Sequence, residues 1–177
     1  MVKPVYLVLG SIPVIVALLL VTPLLLKNEI PTSASNYTDN LEIEYTKHQL
    51  KKISYGVTER IGAQKTEILY VKNDGEIKYS VTENGYLKPD VRSQLDEVKL
   101  NKIKALIKET GFITIPSESF AIMDNATEYQ KSNVKVTLNG HVNQIHWPQQ
   151  NVTGDFIPPI ITMIEFELDQ IMSELGE

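Results

Sequence analysis

The chain has 177 residues, 17 basic and 22 acidic side chains, a net charge of −5 and no cysteine. Without cysteine, disulfides, thiol catalysis, thiolate metal sites and lipoprotein acylation are all excluded. The basic residues are scattered along an acidic chain, which argues against nucleic acid and anionic lipid as ligands.

The first element is Val5–Leu26, 22 residues without a charge. As a helix it spans about 33 Å, close to the ~30 Å hydrocarbon core of a bilayer. Gly10, Ser11, Pro13, Thr22 and Pro23 interrupt it, which membrane helices tolerate. Two readings fit the run: an uncleaved anchor and a cleaved secretory signal. Signal h-regions run about 7–15 residues and end close to a small-residue cleavage site. The nearest such site is Ser33-Ala34-Ser35, beyond Lys27, Asn28, Glu29 and Pro31. That favours a transmembrane signal anchor over residues 1–27, seated in the lipid bilayer through residues 5–26. Residues 28–40, rich in Ser, Thr and Asn, then read as a polar stalk, and residues 41–177 as one extracytoplasmic domain. Orientation has two opposed signals. Lys3 alone precedes the run while Lys27, Lys47, Lys51 and Lys52 follow it, so a strict basic count places the domain inside. The very short head and the polar stalk favour a single-pass protein of the cell membrane with the domain outside. N-x-[ST] sequons at Asn36, Asn125 and Asn151 fall where loops are expected, as glycosylation acceptors would. An exported domain without disulfides suits a bacterial or archaeal envelope better than an animal secretory pathway.

Period-two patterning opens the domain. LEIEYTK places Leu41, Ile43 and Tyr45 on one strand face, and ISYGVT continues the alternation with Ile53, Tyr55 and Val57. TEILYVK and EIKYSVT flank Asn73-Asp74-Gly75, a hairpin signal. A two-residue Asp74-Gly75 turn gathers Ile68, Tyr70, Ile77, Tyr79 and Val81 on the predicted core face. LDEVKLNKIKALIKETGF predicts a helix with Asp96 as N-cap and Leu100, Ile103, Leu106 and Ile107 as its buried stripe. Leu95 and Leu100 are spaced for a hydrophobic staple, and Gly111 followed by Phe112 reads as the stop. A polar loop, Ser117–Ser132, leads to a second hairpin around Asn139-Gly140. Its register pairs Leu138 with His141, Val136 with Asn143 and Val134 with Ile145. That buries Val134, Val136, Leu138, Ile145 and Trp147. A last helix from Pro159 to Leu175 carries Ile161, Ile164, Leu168, Ile171 and Leu175 at helical spacing. Strands, helix, strands, helix predict an α+β domain with a mainly antiparallel sheet packed with two helices.

Candidate chemistry is sparse. His141 and His146 are five apart on a strand and point to opposite faces, His48 is distant in sequence, and neither HExxH nor CxxC occurs, so no metal site is predicted. No G-x-S-x-G surrounds Ser117 or Ser119, and Gly56 and Gly62 are isolated rather than part of a phosphate loop. Asp124, Glu128 and Tyr129 are the most notable polar group, a loop that suits contact with a partner. A paired carboxylate also suits acid/base chemistry, and a solvated loop is the plainer reading. Trp147-Pro148 is either core or an aromatic anchor for a partner.

The run LNKIKALIKETGFITIP, then Asp124 and Tyr129, then VKVTLNGH and a closing helix resembles the pattern of emfourin-type domains. It is also similar to a small envelope domain family of unknown function, in which a dG-x-i-x-y hairpin precedes the same helix and G-F step. Here that hairpin is NDGEIKYS. The resemblance covers residues 53–172. Emfourins are protease inhibitors, so it implies a partner-blocking role for the loop near Asp124. The chain departs from the pattern in its anchor, its extra strands and its lack of cysteine near the first strand, and no inhibitory residue matches one by one. The reading that follows is a membrane-anchored, extracytoplasmic, non-catalytic binding or accessory domain. It expects a protein partner in the membrane or envelope, no cofactor, no metal and no nucleic acid. The alternative is a membrane-tethered, protease-inhibitor-like domain, with an enzyme third.

Overall fold

The structure, a computed structural model, describes residues 38–116 and 120–176. The Val5–Leu26 run, Asn36, Ser117 and Ser119 lie outside the described residues. Among those described, no helix is long and apolar enough to cross a membrane.

The domain is α+β, as expected. Seven strands, β1 (Leu41–Tyr55), β2 (Thr58–Val71), β3 (Glu76–Glu83), β4 (Tyr86–Leu87), β5 (Val91–Gln94), β6 (Glu128–Leu138) and β7 (His141–Pro148), form one sheet in which every pairing is antiparallel. The order is β4-β3-β2-β1-β6-β7, and β5 shares the outer edge of β3 with β4. Helices α1 (Glu97–Glu109) and α2 (Pro159–Leu175) lie over one face and are joined by Lys99–Glu174 and Lys102–Glu167 ion pairs of 2.6 and 2.7 Å. Tyr45, Leu69, Val134, Ile145 and Trp147 from the sheet, with Ile103, Leu106, Ile161 and Leu168 from the helices, form the core between these layers.

The second hairpin has the predicted register. Asn139 and Gly140 both take positive φ, 52° and 83°, as a two-residue type I′ turn requires. Leu138 faces His141, Val136 faces Asn143 and Val134 faces Ile145, and all five predicted apolar residues are buried. β6 starts at Glu128, inside the stretch expected to be loop, because Glu128–Ser132 continue the ladder along β1 opposite Lys51–Lys47.

The first hairpin corrects the sequence reading. Its loop has three residues, Asn73-Asp74-Gly75: Lys72 N–H donates to the Glu76 carbonyl at 2.9 Å, and Gly75 takes φ 84°. Val71 therefore faces Ile77, and Leu69 faces Tyr79. One residue more in the loop turns β2 over. Leu69 and Val71 enter the core, while Ile68 and Tyr70, predicted to be inside, sit on the open face. Ile77, Tyr79 and Val81 are buried as expected.

ISYGVT is likewise not a separate strand. Gly56 and Val57 form the turn of a long β1–β2 hairpin, with Tyr55 opposite Thr58, so Val57 is fully exposed instead of continuing the alternation. Gly56, at φ 67°, occupies the first central position, as a type II′ turn demands.

Both helices match their predicted stripes. Leu100, Ile103, Leu106 and Ile107 are buried on α1, and Ile161, Ile164, Leu168 and Ile171 on α2, whereas Leu175 is half-buried. Asp96 is the N-cap residue of α1 but makes no side-chain capping bond. Gly111 turns the chain at φ 66° and Phe112 is fully buried beyond it. Asn143 on β7 pins that turn to the sheet, donating to the Phe112 and Ile115 carbonyls at 2.8 and 2.9 Å.

The last residues of the polar segment belong to the fold. Asp39 is buried, and its carboxylate accepts from Lys108 at 2.7 Å and from the Asn139 amide at 2.9 Å. The buried Lys104 ammonium donates to the Asp39 carbonyl and to Asn73 Oδ1, which also accepts from Leu41 N–H. The start of β1 is thus tied to α1 and to both predicted hairpin turns.

Candidate functional site

Asp124, Glu128 and Tyr129 do not form a joint surface. Tyr129 is buried opposite Leu50 on β1, Glu128 is exposed and pairs with Lys51 at 3.5 Å, and Asp124 is exposed on the preceding loop. That loop is held at both ends: Ala121 N–H donates to Asp155, Met123 N–H to the Val152 carbonyl, and Lys52 N–H to the Thr127 carbonyl. Asn125 and Asn151, in the two described sequons, are exposed.

A row of polar side chains lies under α2. Tyr45 and Lys47, neighbours in register on the helix-facing side of β1, reach Asp169 Oδ1 and Oδ2 at 2.9 and 2.7 Å. One turn earlier on α2, Glu165 accepts from Ser132 at 2.7 Å and from the Trp147 indole at 2.9 Å. On β2, Glu67 accepts from the Tyr79 hydroxyl and pairs with Lys65 at 2.9 Å. Lys47, Lys65, Glu67, Tyr79 and Asp169 border a cleft of about 520 Å³ that Met172 and Ser173 close at the helix end. Burial, and then the neighbouring carboxylates, hold the Tyr45 and Tyr79 phenols well above the usual tyrosine range. Both stay protonated as donors.

Chemically, this row binds helix to sheet. Every carboxylate in it already accepts two donors, and each phenol is committed to a carboxylate. The described residues contain no cluster of three or more metal-ligating side chains.

Sequence reading missed this row. Part of its signal was local: Lys47 continues the buried parity of β1, and Glu165 and Asp169, four apart, flank the apolar stripe of α2, whereas Lys65 and Glu67 join the row only through the three-residue loop that turns β2 over. Charged residues at such positions need partners if they are to be buried. Which partners they find depends on residues more than 120 positions apart, as for Lys47 and Asp169.

The histidines are on the other side or at the rim. His48 and His146 share the open face, separated by β6, where Lys131 lies opposite His48 in register, while the exposed His141 sits beside the hairpin turn. His48 Nδ1 is 3.0 Å from the Thr66 hydroxyl. Burial, and then the Lys131 charge, lower the affinity of both His48 and His146 for a proton. The same open face holds a shallow groove of about 520 Å³ floored by Tyr70 and edged by Glu42, Glu44, Lys78, Arg92 and Lys135. Charges of both signs line it, and some are paired with one another, as Lys72 and Arg92 are with Glu76 at 2.6 and 4.0 Å.

Large apolar side chains are exposed at Tyr55, Val57 and Ile61 on the β1–β2 hairpin and at Tyr86 and Leu87 on β4. No family model and no curated protein matches the chain.

Proposed function

We propose that the protein is a membrane-anchored, extracytoplasmic binding or accessory domain without catalytic activity of its own. The observation that carries the binding role is the set of large apolar side chains left exposed on the β1–β2 hairpin, Tyr55, Val57 and Ile61. Large apolar side chains left in water on a hairpin that outruns its neighbours suit a protein contact. The tether is supported by the 22 uncharged residues Val5–Leu26. Under this reading the polar segment before Asp39 is the stalk, the domain stands outside the cytoplasmic membrane, and the partner is another protein of the membrane or envelope. The exposure of Asn125 and Asn151 is compatible with glycosylation at those sequons.

Alkaline carbonate extraction of native membranes tests the tether. The protein stays in the pellet with its N-terminus at Met1 or Val2. Mature chains that begin near Asn36 and wash into the supernatant overturn it.

The pinned loop around Asp124 favours a second reading, a protease-inhibitor-like domain, because an inhibitory loop works by being held in one shape. It resembles the emfourin-type pattern in placing Asp124 between the first helix and the second hairpin. A panel of metalloproteases left at full activity by the protein would remove that reading.

A further inference from the structure

We propose that the free edge of β2, from Thr58 to Ala63, is a docking strand that accepts an extended segment of a partner protein in which acidic and apolar residues alternate. This rests on the binding-domain reading and names the chemistry of its partner.

β1 and β2 outrun their neighbours. β6 leaves β1 at Lys51, and β3 meets β2 only from Lys65 onward, so residues 53–63 stand as a two-stranded ribbon. Lys52 N–H points away from β2, donating to the Thr127 carbonyl at 2.7 Å, and Lys52 sits opposite Ile61. In an antiparallel ladder both members of such a pair turn their backbone groups outward. Ile61, and by alternation Glu59 and Ala63, therefore present N–H and C=O groups along the outer edge of β2. Among the described residues no strand receives them. Strand addition satisfies this kind of edge.

The side chains beside that edge define what fits. Arg60 shares the helix-facing side of the ribbon with Tyr55, and Ile61 lies on the other side. An added strand places its alternate residues beside Arg60 and beside Ile61. Residues 51–65 carry Lys51, Lys52, Arg60 and Lys65 against Glu59, a local charge of +3 on a chain of −5. Lys51, Lys52 and Lys65 each have a carboxylate within 3.5 Å, at Glu128, Glu59 and Glu67. Arg60 has no ion-pair partner among the described residues, so it selects an acidic neighbour. Charged residues and bulges also serve to blunt sheet edges, and the ladder is indeed irregular at Gln64. Edge protection does not account for Tyr55, Val57 and Ile61, which are 65, 102 and 59 % exposed.

The test uses the full chain in detergent micelles. Its probe is a short synthetic peptide alternating glutamate and valine, with a lysine–valine peptide, anionic vesicles and duplex DNA as comparisons. The glutamate peptide binds and slows hydrogen exchange at the Glu59, Ile61 and Ala63 amides. Arg60→Glu and Ile61→Pro each weaken it by about tenfold or more. Affinity also falls as salt rises from about 0.05 to about 0.5 M. Ile61→Pro removes only an outward N–H, so the circular dichroism spectrum and melting temperature remain those of the wild type. Equal binding of both peptides, indifference to Ile61→Pro, preference for vesicles or DNA, or pairing of the ribbon with a second copy overturns the proposal. Should the peptide fail while cross-linked capture of a membrane protein survives Ile61→Pro, the docking strand is wrong and the binding role stands. Should the wild type capture nothing, both fall.

Discussion

Trp147 and His146 are adjacent on β7 and face opposite ways, so they separate core from surface at a single step. Trp147 is 2 % exposed and its indole donates to Glu165, whereas His146 lies on the open face. Replacing Trp147 by Ala should cost about 3–5 kcal/mol, the range for emptying a large aromatic site. His146→Ala should stay within about 0.5 kcal/mol. Urea melts of the two variants check this, and a costlier His146 would contradict the register. The same residue and His48 set a pH dependence. Burial and Lys131 hold both rings below the ordinary value of 6.5, so the unfolded chain takes up protons before the folded one does. Their contribution is complete above that value and is lost as pH falls below it. Denaturation midpoints should fall on the acid side of 6.5, and Lys131→Gln should soften that part of the fall; a midpoint independent of pH there would refute it. The faces of Trp147 and His146 could be read from the sequence because Asn139-Gly140 admits one loop length. The neighbourhood of His48 could not, since Lys131 reaches it only through the pairing of β1 with β6.

At the scale of elements, the two hairpins show how much a turn decides. Around Asn139-Gly140 polar and apolar residues alternate on β6, so only one register buries the apolar set. Around Asn73-Asp74-Gly75 the strand ILYV is apolar on both faces, so alternation does not choose between them. The choice falls to the loop, and a Gly after Asp fits a two-residue turn and a three-residue turn with a bulge equally well. What settles it is tertiary. Asn73 Oδ1 serves Leu41 N–H and Lys104, and a Cβ added to Gly75 would stand 3.1 Å from the Leu95 carbonyl. The Asp39 knot belongs to this scale as well. Asp39→Ala removes an acceptor from Lys108 and from the Asn139 turn, next to the buried Lys104. A hydrogen bond to a charged group contributes about 1.5–3 kcal/mol. The variant should melt earlier and exchange the Leu41 amide faster, and unchanged exchange there would show that the knot does not hold the start of β1. The α1 and α2 stripes were readable because helical spacing is local. β4 and β5, two and four residues long and exposed, carry no apolar period and went unread.

For the whole molecule, sequence pattern sufficed for the α+β class, the strands-helix-strands-helix sequence and most of the core, because each follows from periodicity and turn chemistry close along the chain. It did not reveal the polar row under α2 or the length of the β1–β2 ribbon. Both depend on where neighbouring strands stop and on which residues the closed sheet brings together. One feature of that sheet has a mechanical consequence. β1 is an interior strand, knotted at Asp39 where the polar segment joins and ending at Tyr55 beside the exposed tip. Its 15 residues span about 46 Å. Under the proposed reading, a pull between the tether and a partner on the β1–β2 hairpin enters the domain along this strand. β2 and β6 flank it on both sides as far as Lys51, so displacing that part means shearing two ladders at once rather than peeling an edge bond by bond.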